Sequence, residues 1–223
     1  LVLGGEKWYP LNPIKKEISI TPNIITLSEI NPTMTVNVKT TPKNAAYYIS
    51  HTKGEDCATI SNATNRGDSD DLLFQKNGEN YGTKEITYKL ENTDKTASLT
   101  VNHIHLEAKE LLKLGDGANI SSETIVQAKG GRGKWFIKDY SRSGFNWKEA
   151  PQNREGFLSF ELGEAIKEGN NIGFITVAHI DDPNYTKTIN IQQNKKYITL
   201  PEFDYLVIQY LYKKQGTPKH TQH

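Results

Sequence analysis

The sequence predicts an all-β protein built from two tandem immunoglobulin-like β-sandwich domains. Short runs of alternating apolar and polar residues recur along the chain, which is the pattern of half-buried antiparallel strands. Turn residues such as Asn31-Pro32 separate these runs. About seven runs lie between residues 18 and 105, the number that an immunoglobulin-like sandwich requires. A single larger sandwich is the alternative architecture.

The spacing of the runs predicts the domain organisation. We expect an N-terminal leader over residues 1–17, a first sandwich over 18–105, a second over 106–200, and a C-terminal strand with a polar tail over 201–223. Predicted strands of the first domain are 18–22, 24–27, 34–39, 46–50, 58–61, 85–90 and 97–101. Those of the second are 124–128, 134–138, 157–162, 172–178 and 188–191. Residues 106–114 are good helix formers, although so short a run could equally be a connecting strand.

An internal repeat supports the division into two domains. Residues 76–88 are similar to residues 167–177, and each segment is followed by an acidic turn and a terminal strand. The repeat distance is about one small β-sandwich domain. We therefore interpret the second domain as a duplicate of the first, with chance similarity between β-strands as the alternative.

The last apolar segment, residues 201–212, predicts a strand with two apolar faces. Four side chains share one face and four the other: Phe203, Tyr205, Val207 and Leu211, then Leu206, Ile208, Tyr210 and Tyr212. An open edge strand of this kind invites pairing with another chain. The segment is therefore either buried in the second domain, which we favour because it follows the preceding strands directly, or a docking strand for a partner.

Composition excludes several classes of function. With 27 Lys and Arg against 26 Asp and Glu, the net charge of +1 provides no field to attract nucleic acid. No apolar run approaches the roughly 20 residues that span a bilayer. The lone cysteine, Cys57, excludes an internal disulfide and a multi-cysteine metal site, and its alternating surroundings predict a buried side chain.

Two segments resemble parts of a known domain family. Residues 173–177, the turn 182–185 and the strand residues 186–193 are similar to the closing hairpin of BACON-type and related bacterial immunoglobulin-like domains, and residues 18–27 resemble their opening strand. Residues 129–155 depart from the family because they are longer and more aromatic. The resemblance implies a secreted protein or surface-anchored lipoprotein of the Bacteroidetes kind, often associated with polysaccharide capture. It names no catalytic residues.

The aromatic segment of residues 130–148 is the best candidate for a binding site. Sugars present apolar C–H faces and hydroxyl groups, so a glycan site needs an aromatic platform beside polar side chains. Such a site is predicted from Trp147, Tyr140, Arg142 and Asn146. The alternative interpretation is that Trp135 and Ile137 fill the core while the loop is merely solvated.

A metal site is a weaker hypothesis. On a continuous strand, His103, His105 and Glu107 would share one face, and two imidazoles with a carboxylate can bind zinc. Polar residues at a domain junction would explain the same pattern. Residues 66–69 spell the integrin tripeptide followed by serine, and residues 68–71 could bind calcium from a loop, but matches this short arise by chance. We expect no metal or other cofactor.

The sequence contains no complete motif of a known catalytic site. The chain has no nucleophile elbow, zinc-protease helix or phosphate-binding loop, and the S-x-x-K match at residues 50–53 lacks its companion motifs. We therefore expect a non-catalytic binding or adhesion protein that recognises a glycan, with a structural spacer in a surface assembly as the alternative. We expect an extracellular or cell-envelope location after signal-peptide removal, a polysaccharide or surface protein as partner, and no nucleic acid.

Overall fold

The computed structural model describes residues 14–65, 69–166 and 170–194, and every regular element within them is a β-strand. The predicted all-β fold is confirmed. No helix that could cross a membrane occurs in these residues. The predicted C-terminal strand, residues 201–212, and residues 1–13 of the predicted leader lie outside the described part of the chain.

The first domain has two four-stranded sheets. Its strands are β1 (Glu17–Thr21), β2 (Ile24–Leu27), β3 (Thr33–Thr41), β4 (Tyr47–Gly54), β5 (Ala58–Asn65), β6 (Ser69–Lys76), β7 (Gly82–Leu90) and β8 (Thr96–His103). The sheets have the orders β1-β3-β6-β5 and β2-β8-β7-β4, and only the β2–β8 pair is parallel. These are the ABED and CFG sheets of an immunoglobulin domain, with the first strand divided between the two.

The second domain repeats this order. Its strands are β9 (His105–Ala108), β10 (Leu111–Leu114), β11 (Asn119–Ser122), β12 (Val126–Lys129), β13 (Trp135–Tyr140), β14 (Trp147–Arg154), β15 (Phe157–Leu162), β16 (Asn170–His179) and β17 (Asp182–Asn194). One sheet is β10-β17-β16-β13, with β10 parallel to β17. In the other, β12 pairs with β9, while β11 pairs with β15 and β15 with β14. The counterpart of β3 is therefore divided into β11 and β12.

Each domain has its own hydrophobic core, because alternate strand residues point between its two sheets. The first core includes Leu27, Val36, Phe74, Leu99 and Val101, all fully buried. The second includes Ile104, Leu158, Phe160, Ile175 and Ile189, also fully buried. Burial of each such side chain stabilises the fold by about 1.5–3 kcal/mol.

Three strands were not predicted, whereas residues 106–114 form strands, one of the two structures that the sequence left open for them. Here β9 and β10 pair with β12 and β17, and these ladders outweigh the weak helical propensity of so short a run. Strand β11 was not predicted, because three of its four residues are asparagine or serine, which are typical of turns. Strand β6 was not predicted, because Asp70 and Asp71 resemble turn residues. Strand β14 was not predicted, because its sequence carries a proline and few β-branched residues. The hairpins β7–β8 and β16–β17, which contain the predicted repeat, occupy equivalent places.

Candidate functional site

The two domains meet at a junction of one residue. Strand β8 ends at His103 and β9 begins at His105, so Ile104 alone lies between them. The backbone N–H of Ile104 donates to the carbonyl oxygen of Leu27 in the first domain, at 2.9 Å. Its side chain is fully buried in the core of the second domain. One residue is thus fixed in both domains at once.

A cluster of aromatic and imidazole rings covers one side of this junction. The Tyr81 ring stacks on His105, with 4.7 Å between ring centroids and 22° between planes. The same ring lies tilted against His103, at 4.8 Å and 50°. His103 is nearly fully buried, and its Nδ1 is 2.9 Å from the carbonyl oxygen of Asn80. The loop that precedes β7 is therefore held against the start of the second domain.

Glu29 links the first domain to two strands of the second. Its carboxylate lies 3.3 Å from His105 Nδ1 and 3.4 Å from Lys187 Nζ. Partial burial raises the pKa of Glu29, but the attraction of Lys187 and His105 and a hydrogen bond from Tyr185 outweigh it, so the pKa lies below its usual value. Asn31 adds a further contact, because its Nδ2 donates to Asp182 Oδ2 at 3.3 Å.

The buried Tyr185 connects this ion pair to the interior of the second domain. Its hydroxyl accepts a hydrogen bond from the backbone N–H of Leu106, at 3.3 Å. Burial raises the pKa of Tyr185 to about 12, and Glu29 adds to the shift. The hydroxyl group therefore stays protonated at physiological pH and can donate to Glu29 while it accepts from Leu106.

The turn between β12 and β13 approaches the first domain closely. Gly130 has a φ of +70°, and a Cβ at this position would lie 1.9 Å from the carbonyl oxygen of His103. Arg132 is held by Asp181: its backbone N–H donates to Oδ2 at 2.7 Å, its Nε also bonds this carboxylate, and its Nη2 donates to the carbonyl oxygen of Ile180 at 3.0 Å. The turn is thus fastened to the β16–β17 turn.

Two histidines are buried near this end of the second domain. His103 and His179 are almost inaccessible to solvent. Burial lowers the pKa of each, although a hydrogen bond to Asn80 opposes the shift at His103 and the charge of Asp181 opposes it at His179. Both imidazoles are therefore less readily protonated than a histidine in an unfolded chain.

A cleft of about 800 Å³ opens at the same end of the second domain. It is lined by all four residues of β12, the start of β13 and the turn between β14 and β15. Trp135 lines it and is almost buried, and its carbonyl oxygen accepts a hydrogen bond from Asn153 Nδ2 at 2.7 Å. The lining also contains two acidic and two basic residues, Glu123, Glu155, Lys129 and Lys134. This volume is within the range of about 300–1,000 Å³ of ligand sites.

The predicted glycan residues lie at the opposite end of the second domain. Trp147 is half-buried, and its indole N–H donates to the carbonyl oxygen of Ser141 at 2.8 Å. Three rings surround it: Tyr140 at 5.8 Å, Phe145 at 5.3 Å and Phe160 at 5.6 Å between centroids. Trp147 therefore packs against the core instead of forming an open platform, a distinction that the sequence pattern did not make.

The polar members of that predicted site remain accessible. Arg142 and Asn146 are exposed, and the guanidinium carbon of Arg142 lies 5.9 Å from the centre of the Tyr140 ring. The Asn146 carbonyl oxygen accepts a hydrogen bond from the Gly163 N–H at 2.7 Å. The structure therefore brings all four predicted residues to one end of the domain, with Arg142 and Asn146 facing solvent.

The predicted metal residues are separated by the junction. The strand is interrupted at Ile104, so His103 ends β8 while His105 and Glu107 lie on β9. His103 faces Tyr81, and His105 pairs with Glu29. Within residues 14–65, 69–166 and 170–194, no group of three acidic, histidine or cysteine side chains is placed to hold a metal ion.

Other sequence motifs have structural roles where they are described. Asp70 and Asp71 lie on β6 and not in a calcium-binding loop, and they accept hydrogen bonds from Tyr47 and Asn37 at 2.8 Å. Arg66, Gly67 and Asp68 of the integrin-like tripeptide lie outside the described residues. Ser50 is exposed on β4, and its hydroxyl donates to the carbonyl oxygen of Thr87 at 3.1 Å. Cys57 is buried as predicted, and burial raises the pKa of its thiol.

Sequence reasoning singled out His103 and His105 but missed the residues that surround them at the junction. Glu29, Tyr81 and Lys187 are separated by many residues in the chain, and only the fold brings them together. One signal was available, because the predicted domains meet near residue 105 with no linker of glycine, serine or proline. The cleft beside Trp135 had no comparable sequence signal.

Comparisons with known proteins find similarity in structure only. No family model matches the sequence, and no curated protein matches it. The Escherichia coli adhesin FdeC is 14% identical with a TM-score of 0.33, over 81% of this chain and 64% of that one. Invasin, a bacterial integrin-binding protein, is 11% identical with a TM-score of 0.42, over 80% and 38%. A titin fragment, I67–I69, is 10% identical with a TM-score of 0.38, over 81% and 64%.

This chain thus spans less than two thirds of each of these three structures. Because their identities and TM-scores are low, the fold assignment depends on the strand order of this chain itself. In both domains the first strand is divided between two sheets and its second part runs parallel to the last strand. That order identifies two immunoglobulin-like β-sandwiches in tandem.

Proposed function

We propose that this chain is a non-catalytic, stiff two-domain segment of a cell-surface or secreted binding or adhesion protein. The single observation that carries the proposal is the junction at Ile104, which is bonded to one domain through its backbone and buried in the other through its side chain. A segment with this geometry holds the two domains in one fixed relation. It would therefore set the distance between a surface and a binding site.

The contacts around Ile104 oppose bending of the two domains. Flexible connections between domains are rich in glycine and serine and remain solvated. Here the connecting residue is a buried isoleucine, and Tyr81, Glu29 and Gly130 add contacts on the two sides of it. Any large rotation would expose Ile104 and break its hydrogen bond to Leu27.

Small-angle X-ray scattering tests the stiffness of the full chain. We expect one radius of gyration across temperatures below unfolding and a profile that a single domain arrangement fits. The control inserts Gly-Ser-Gly-Ser between Ile104 and His105, which should broaden the distribution of sizes because it removes the direct connection. Equal breadth for the two proteins would contradict the proposal.

The surface location is the part of the proposal that depends on resemblance. The closing hairpin and opening strand resemble BACON-type domains, which implies a secreted or surface-anchored protein of the Bacteroidetes kind. An antibody against the chain should label intact cells of the source organism as strongly as permeabilised cells. Labelling that requires permeabilisation would contradict a surface location.

Glycan binding is the second candidate function. It is favoured by the exposure of Arg142 and Asn146 beside the Tyr140 ring, since planar polar groups beside an aromatic ring suit a sugar. The change Trp147→Ala is a poor test by itself, because this ring packs against Phe160 and its loss would disturb the core. The paired change Arg142→Ala with Asn146→Ala leaves the packing intact.

A glycan array followed by tryptophan-fluorescence titration with the best polysaccharide tests this candidate. The double variant should lose at least about tenfold in affinity, equivalent to about 1.4 kcal/mol. Lys113→Ala, an exposed change on β10, is the control and should bind as the unchanged protein does. No response to any glycan would leave the stiff spacer as the remaining candidate function. Equal binding by the double variant would exclude Arg142 and Asn146 as the glycan site.

A further inference from the structure

Strand β12 has one free edge, whereas its counterpart in the first domain has none. Strand β3 pairs with β1 on one side and β6 on the other. Strand β12 pairs with β9 and with no other described strand. The neighbour that would be expected, β15, begins only at Phe157 and is already used by β11, since Ser122 pairs with Leu158. The second edge of β12 therefore opens into the cleft beside Trp135.

The register of β12 identifies the backbone groups on this edge. The N–H of Lys109 donates to the carbonyl oxygen of Ile125 at 2.9 Å, which makes these two residues a hydrogen-bonded pair. Such pairs alternate along an antiparallel ladder. Gln127 is therefore bonded to its partner on β9, and the N–H and C=O groups of Val126 and Ala128 point away from β9, toward the cleft.

The charged residues around the cleft change from acidic to basic along the direction of β12. Glu123 precedes β12, while Lys129 ends it and Lys134 lies just beyond the following turn. An extended segment with the same order of charges, acidic first and basic last, would place opposite charges together only if it ran antiparallel to β12. A β edge whose N–H and C=O groups at Val126 and Ala128 pair with no described strand is a site for an added strand.

We propose that this cleft receives residues 201–212 of a second copy of the chain as an added antiparallel strand. The segment starts with Glu202 and Asp204 and is followed by Lys213 and Lys214, so its charges have the required order. Its two apolar faces suit a position where one face meets Trp135 and the other is covered by the neighbouring molecule. The proposal does not depend on the function proposed above.

The distance between the end of β17 and the cleft favours the C-terminal segment of a second copy over that of the same molecule. Strand β17 begins beside the β16–β17 turn, which lines the cleft through Ile180, and runs 13 residues to Asn194 at the other end. At about 3.3 Å per residue this is roughly 40 Å. A return to the cleft needs about 12 fully extended residues. The return path would use half of residues 201–212 as a connection and leave too few for the added strand. A second copy can donate the whole segment.

The interface is heterologous, because the donor segment and the acceptor cleft are different surfaces. Each molecule that donates its segment keeps an open cleft, so association continues head to tail. Sedimentation velocity of the full chain over a wide concentration range should therefore show a series of species that grows with concentration.

Two variants each remove one half of this interface. Ala128→Pro removes an N–H group that faces the cleft and leaves the bonds of β12 to β9 in place. Val207→Pro with Ile208→Pro removes the ability of the donor segment to pair. Each variant by itself should remain monomeric, with an unchanged circular dichroism spectrum and melting temperature. Ala128→Gly keeps the N–H group and is the matched control, which should associate as the unchanged protein does.

Mixing the two variants separates this proposal from the alternatives. The Ala128→Pro chain still offers a donor segment and the Val207→Pro, Ile208→Pro chain still offers a cleft, so the mixture should form one-to-one dimers and nothing larger. The proposal is overturned if the unchanged chain is monomeric at every concentration, if either variant still associates, or if the mixture stays monomeric.

Discussion

The two domains have the same strand order but differ in one strand. In the first domain, β3 is continuous over nine residues and pairs with a strand on each side. In the second, its counterpart is divided into β11 and β12, which pair with different strands. The two domains therefore share one topology although one strand of the second is divided, and the division leaves an open edge and a cleft.

The sequences of these strands explain the difference. Residues 33–41 alternate in pattern, with Val36 and Val38 buried between threonines, asparagine and lysine. The equivalent part of the second domain contains the polar run 121–124, which offers no buried side chain to the core. Such a run forms turns as readily as strand, because serine and threonine hydroxyls bond nearby backbone groups. The Ser122 hydroxyl accepts a bond from the Thr124 N–H at 3.2 Å.

The same comparison applies to the two ends of the second domain. The end with Gly130 and Asp181 contacts the first domain, and the cleft opens beside it. The other end carries the Tyr140–Trp147 cluster and faces away from the junction. The contacts with the first domain and the predicted glycan residues therefore lie at opposite ends of one domain.

The largest expected effect follows truncation of the connecting residue. Ile104→Ala should reduce the free energy of unfolding by about 2–5 kcal/mol, because it leaves a cavity in the second core. Differential scanning calorimetry should show the loss. Ile125→Ala removes a similar side chain of the same core away from the junction and is the control. Only Ile104→Ala should also separate one unfolding transition into two; a single transition in both variants would contradict a role of Ile104 in coupling the domains.

Alanine substitution of two glycines compares the turn at the junction with a turn that has open space around it. Gly130 and Gly117 both have φ near +70°, but a Cβ at Gly130 meets backbone and a Cβ at Gly117 meets nothing within 4 Å. Gly117→Ala should cost only about 1 kcal/mol of conformational strain. Gly130→Ala should reduce the free energy of unfolding by clearly more than this, because His103 cannot move without displacing β8. Urea denaturation measures both losses. Equal losses would mean that the turn does not press against the first domain.

Acidification should weaken the junction end of the molecule. His103 and His179 have folded pKa values below 6.5 because they are buried. The unfolded chain therefore binds more protons than the folded chain once the pH falls through 6.5, and stability is lost from there downward. The melting temperature should fall between pH 7 and the folded pKa values, and less so in His179→Gln. A melting temperature that is constant over this interval would contradict the burial of the two rings.

The smallest expected effect concerns the ion pair across the junction. Glu29→Gln should reduce stability by less than about 1 kcal/mol, because Glu29 and Lys187 are both partly exposed and water screens their attraction. The difference from the unchanged protein should shrink at high salt. Glu161→Gln, which removes the Lys148–Glu161 pair inside the second domain, is the control and should leave the domain arrangement unchanged.

The sequence predicted most of the fold but little of the candidate site. Alternation revealed most strands, since residues such as Ile18 and Ile20 or Leu99 and Val101 point to the same core. Strands β6 and β14 were not predicted, because Asp70, Asp71 and Pro151 are typical of turns or strand edges. Local pattern cannot reveal a partner strand that overrides such preferences.

The site depended on contacts between residues distant in the chain. Trp147 and Trp135 are both aromatic residues at the start of a strand, yet Trp135 lines a cleft and Trp147 packs among three rings. Their different surroundings come from neighbouring strands and loops, not from the flanking sequence. The junction of Glu29 with Lys187 depends likewise on the relative placement of two complete domains.

Pulsed electron paramagnetic resonance tests the central claim of a fixed domain arrangement most directly. Spin labels on Asp94→Cys and Ser143→Cys, both exposed positions in turns of the first and second domains, report one distance across the junction; the buried Cys57 is replaced by alanine. We predict a single narrow distance distribution, which the Gly-Ser-Gly-Ser insertion after Ile104 should broaden. A distribution in the chain without the insertion that is as broad as in the inserted one would contradict the account.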